Sequence, residues 1–82
     1  MCYCYILFSE SKNRFYVGYT CDVLVDRVTR HNQKGKGFTG SVNDWKIVHS
    51  EEFETKEAAI KREKQIKSWK SRIAILNLIQ SD

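Results

Sequence analysis

Two short apolar runs open the chain. Tyr3 to Phe8 and Phe15 to Tyr19 are rich in aromatic and aliphatic residues, and the polar stretch from Ser9 to Asn13 separates them, so the pattern predicts a β-hairpin. Both alternate sets of the first run, Tyr3/Tyr5/Leu7 and Cys4/Ile6/Phe8, are largely apolar. Such a strand is expected to be covered on both faces, with helices supplying the cover.

From Asp22 to Asn32 the apolar positions move to helical spacing at Val23, Leu24, Val28 and His31, with Thr20 or Asp22 as the N-cap. Gln33 to Asn43 sets Gly35, Gly37 and Gly40 around Lys34, Lys36 and Phe38, the composition of a mobile basic loop. Trp45 to Ser50 then reads as a third strand, with Trp45, Ile47 and His49 on one side. Thr55 is a suitable N-cap for a long second helix carrying Glu57 in its first turn and Ala59, Ile60, Ile66 and Trp69 along its apolar side. Ile73 to Ile79 is apolar enough for a third helix, separated from the second near Ser71, although no Gly or Pro marks the break. The pattern therefore predicts an α/β (α+β) domain over residues 1–82, a small three-stranded antiparallel sheet flanked by helices.

Composition narrows the class. With 82 residues, no Pro, and 41% hydrophobic residues, the chain has room for one thin core. Its 14 Lys and Arg exceed 10 Asp and Glu, a net charge of +4 that favours a polyanionic partner. The excess concentrates between Lys61 and Arg72, where Lys61, Arg62, Lys64, Lys67, Lys70 and Arg72 face one acid, Glu63. A solvated helix face is the plainer reading of that run. Three cysteines, Cys2, Cys4 and Cys21, make an odd count without framework spacing, which predicts reduced thiols in a cytoplasmic protein. The opening MCYCYILF is too short and lacks the basic flank of a leader or membrane span, so no membrane partner is expected and the mature chain is expected to start here. Cys2, Cys4, Cys21 and His31 match no common zinc-ligand spacing.

Two charged residues sit at or beside an apolar stripe, Arg27 on the edge of the one that should face the sheet and Glu63 on the apolar side of the second helix. Arg27 lies four residues after Val23 and four before His31, and Glu63 lies four after Ala59 and three before Ile66. An inward acid is costly unless it is paired or holds a metal. A structural ion pair between Arg27 and Glu63 satisfies the same pattern, and Tyr5 and Tyr16 taken singly are ordinary strand aromatics.

Read in order, the features say more. Tyr3-Cys4-Tyr5, Tyr16-Val17-Gly18, Arg27 with His31 one turn on, and Glu63 in the second helix resemble the motif series of the GIY-YIG nuclease superfamily. The similarity runs from about Tyr3 to Lys70 and is nearest to the small single-domain bacterial branch, related to the incision subunit of nucleotide excision repair. It implies an endonuclease that hydrolyses phosphodiester bonds in nucleic acid, DNA before RNA, with one Mg²⁺ or Mn²⁺ ion. Tyr5 and Tyr16 become the motif tyrosines, Gly18 the glycine that lets the backbone turn close to the site, Arg27 the catalytic arginine, His31 a second proton-handling side chain and Glu63 the metal ligand. Lys34 and Lys36 in the glycine loop and Lys61, Lys64, Lys67 and Lys70 on the second helix would contact phosphates rather than bases, and a protein partner would supply specificity.

The implied chemistry is a water attacking phosphorus in line, with Arg27 clamping the phosphate and a tyrosine, Tyr5 in preference to Tyr16, taking the proton. A phenol of pKa about 10 needs neighbouring cations for that task. Departures from the family pattern are Tyr3 and Cys4 in place of Gly and Ile, Tyr19 after Gly18 where some members carry a cation, and one extra residue ahead of Arg27. The alternative on the same scaffold is a nucleic-acid-binding module without catalysis.

Overall fold

The computed structural model describes residues 1–32 and 44–80. Strands β1 (Cys2–Ser9) and β2 (Arg14–Thr20) form the expected antiparallel hairpin, and β3 (Lys46–Phe53) joins the other side of β1, giving the sheet order β2-β1-β3. Helices α1 (Leu24–Asn32), α2 (Lys56–Ser68) and α3 (Arg72–Gln80) complete the fold.

The central strand is covered on both faces because neither of its alternate sets can face water. Cys4 and Ile6 join Val17 and Ile66 in one core, closed by Trp69 of the α2 C-cap and by Ile75, Leu78 and Ile79 of α3. Tyr5 and Leu7 point the other way, into a second core with Trp45, Leu24 and Val28 under α1. Asn32 fixes the far end of α1 to the start of β3, accepting from the Trp45 N–H at 2.7 Å and donating to its carbonyl at 2.9 Å.

Several local expectations need correction. Helix α1 starts at Leu24, after Val23, whose carbonyl accepts from the Arg27 N–H, while Thr20 Oγ1 closes the preceding turn by accepting from the Asp22 N–H. Val23 is accordingly 63% exposed and belongs to neither core. Trp45, Ile47 and His49 do not share a side. A register shift between Ile6 and Leu7 pairs Ile6 with His49 and Leu7 with Ile47, so His49 turns toward α2 and Ile47 away from it. The break between α2 and α3 is made by Lys70, in the left-handed region at φ 48°, followed by Ser71, whose Oγ caps the Ala74 N–H. The cysteines are not all reduced: Cys2 and Cys21 form a disulfide from the start of β1 to the turn after β2, leaving Cys4 as the buried free thiol. Spacing hides this pairing because the hairpin, rather than sequence proximity, brings the two together.

Candidate active site

The hairpin register sets the site. Tyr5 on β1 pairs with Gly18 on β2, and Tyr16 lies two residues along the same face of β2. Gly18 has no special turn geometry; its role is space. A Cβ there would stand 2.8 Å from the Tyr5 hydroxyl oxygen, 2.9 Å from Tyr5 Cζ and 3.0 Å from Tyr16 Cε2. The missing side chain is what lets the two rings converge across the strand pair, which replaces the expectation that this glycine turns the backbone.

Arg27, on the first turns of α1, reaches down to the same place. Its Nε–H donates to the Tyr5 hydroxyl at 3.3 Å, and that bond raises the arginine above its ordinary range, so it remains a cation. Tyr5 is fully buried. Burial pushes its phenol upward, and the contact with Arg27 offsets this only in part. Tyr5 is therefore poorly suited to give up its proton, against the preference for it drawn from the motif.

Tyr16, Tyr19, Asp22, Arg27, Lys56 and Glu63 line an open cleft of about 350 Å³ that wraps over the β2 edge. Tyr16 lines it and Tyr5 does not. Glu63 has a side chain 14% exposed and pairs with Lys67 one turn on at 3.4 Å. The Lys67 ammonium in turn stands 5.9 Å from the Tyr16 ring centroid. Among the described residues Arg27 and Glu63 do not pair with each other, so the structural ion-pair alternative fails: two opposite charges from different helices share a cleft.

Other expected site residues fall elsewhere. Lys64 is exposed on α2 and does not line the cleft. Arg62 is spent within the fold, donating to Glu51 at 3.0 Å beside the buried His49, which sits 2.8 Å from the same carboxylate. Lys34, Lys36 and the side chain of His31 lie outside the described residues, although His31 itself belongs to α1. Asp22 and Lys56 were not anticipated; both flank helix starts, where motif reading gives no signal, and only the packing of α2 against β2 brings them together.

A family model described as the GIY-YIG catalytic domain matches residues 1–77. The chain belongs to the GIY-YIG family. It is 41% identical over 69 residues to a UPF0213 protein of the archaeon Haloquadratum walsbyi, covering 82% of this chain and 76% of that one. It is 39% identical over 67 residues to a UPF0213 protein of Natronomonas pharaonis, covering 80% and 76% respectively. Both relatives are archaeal, so the resemblance extends past the bacterial branch. No solved structure gives a significant match. Among the described residues of this GIY-YIG domain, no helix is long and apolar enough to cross a membrane.

The donor chemistry of the cleft suits a hard divalent ion. Glu63 presents one carboxylate to a polar, open space, with Asp22 also on its wall, and Mg²⁺ favours one or two carboxylates with water and phosphate oxygens completing its shell. Among the described residues no three His, Cys, Asp or Glu gather into a metal cage.

Proposed function

We propose that this GIY-YIG domain is a metal-dependent endonuclease that hydrolyses phosphodiester bonds in DNA. The observation that carries the reading is Arg27 and Glu63 lining one open cleft from separate helices without neutralising one another.

The residues divide the work by position. Arg27, oriented by Tyr5, offers its remaining N–H donors to the phosphate, where a planar guanidinium gives two-point contact. Tyr16, on the cleft wall, is placed to accept the proton of the attacking water; Tyr5 is a positioning residue. Glu63 would hold the Mg²⁺ or Mn²⁺ ion, which supplies Lewis-acid stabilisation of charge on the phosphate oxygens. Lys67, between Glu63 and Tyr16, adds positive charge beside the path of the strand. A cytoplasmic placement rests on the nucleic-acid substrate alone, since Cys2 and Cys21 are bonded rather than reduced.

The test is cleavage of single-stranded, duplex and branched DNA and of RNA in Mg²⁺, Mn²⁺ or EDTA, by the natural chain and by Glu63→Ala and Arg27→Ala. Metal-dependent cutting that both folded variants lose supports the nuclease. Binding without cutting by all three proteins establishes the non-catalytic module instead.

A further inference from the structure

A second cavity, of about 420 Å³, opens at the other end of β2, where the hairpin turn meets the α2–α3 corner. Arg14, Lys70 and Arg72 bring three cations to its wall, Phe15 and Ile75 supply an apolar floor, and among the described residues no acid lines it. The cradle is built rather than incidental. Its two corners are both left-handed, Asn13 at φ 53° and Lys70 at φ 48°, and Arg72 ties them, donating to the Asn13 carbonyl at 2.8 Å and to its Oδ1 at 2.7 Å. The same guanidinium lies 5.3 Å from the Phe15 ring centroid.

We propose that a DNA strand seated in the cleft is gripped a second time here, its phosphates by Arg14, Lys70 and Arg72 and an apolar sugar or base face by Phe15. This rests on the nuclease reading of the cleft. Cations with an aromatic floor are what a sugar-phosphate strand requires. Both sites are lined by residues of β2, the cleft by Tyr16 and Tyr19 and the cradle by Arg14 and Phe15. From Tyr19 to Arg14 the strand advances about 16 Å at ~3.3 Å per residue. Phosphates of a paired strand advance ~3.4 Å each along the helix axis, so the second grip falls about five nucleotides from the cut.

The experiment uses the full chain carrying Glu63→Gln, so that binding is read without cutting, and fluorescein-labelled DNA followed by polarisation across a salt series. Arg14→Thr combined with Lys70→Gly removes two cations while suiting a strand position and a left-handed corner. The double variant is expected to bind about tenfold more weakly, with a salt slope shallower by about two. DNA ending within about five nucleotides of the cut on that side is expected to erase the difference. Unchanged affinity and slope with cutting by the natural chain would overturn the cradle and leave the cleft reading standing. Cradle-dependent binding with no cutting by the natural chain would keep the cradle and remove the nuclease.

Discussion

A methyl group on Gly18 would lie 2.8 Å from the hydroxyl oxygen of Tyr5, closer than real Cβ contacts come. Tyr5 is fully buried and its hydroxyl holds Arg27, so the collision cannot be relieved without moving the arginine. Gly18→Ala is therefore expected to destabilise the fold by about 2 kcal/mol, the ordinary cost of overpacking. On the nuclease reading, cutting should fall further, about 10²-fold, because Arg27, the proposed phosphate clamp, is displaced. Urea midpoints beside cleavage rates separate the two effects; a variant with natural stability and rate would refute this account of the glycine.

Tyr5→Phe keeps the ring and deletes the acceptor of the Arg27 Nε–H. The loss of stability should be about 1 kcal/mol. On the nuclease reading, Tyr5→Phe removes a positioning residue and should lower the cleavage rate only in part. Tyr16→Phe, at the cleft wall, should abolish cutting while leaving DNA binding in place. Cutting abolished by Tyr5→Phe and retained by Tyr16→Phe would restore Tyr5 as the proton acceptor.

Glu51 couples β3 to α2 through His49 and Arg62. Burial works to raise its carboxyl, but those two partners outweigh it, and the net shift is below the ordinary value of 4.5. A depressed folded pKa means that the stability it contributes is complete above pH 4.5 and is lost as pH falls through the lowered folded value. Glu51→Gln should cost about 2 kcal/mol at pH 7 and little near pH 2. Denaturation curves at pH 7, 5 and 3 should thus converge for the two proteins on the acid side.

The Cys2–Cys21 disulfide spans 19 residues, and a closed loop of that length stabilises by about 3 kcal/mol. Reductant should lower the thermal midpoint accordingly. Alkylation of the unreduced, unfolded chain should modify one cysteine of the three. In the folded protein that one, Cys4, should react slowly even at pH 8, since burial pushes its thiol up to about 11. Labelling of three thiols without reductant would contradict the bond.

What the sequence disclosed follows from what is local. The β1–β2 hairpin and the double-sided burial of β1 were legible because apolar alternation is a property of neighbours along the chain. Helical period marks Glu63 as an inward acid, whereas the stripe used to place Arg27 included Val23, which is exposed. That the two charges share a cleft without pairing depends on how two helices approach one strand edge. Arg62 looked like a surface cation because Glu51, its partner, is eleven residues away on another element. The side assigned to His49 failed at a one-residue register shift, which composition does not announce. Lys70 occupies a left-handed corner usually given to glycine, so the end of α2 carried no signal.

The first strand of the chain is the middle strand of the sheet, and this orders events in time. The β1–β2 ribbon closes through a short turn and can form while the rest of the chain is still unstructured. The opposite edge of β1 must then wait, with its backbone groups unpaired, until residues more than 35 positions later arrive as β3. Until they do, that edge is open to any other extended segment, including a second nascent copy. The pairing with the longest chain closure and the one whose delay leaves an edge exposed are thus the same, the docking of Lys46–Phe53 onto Cys2–Phe8.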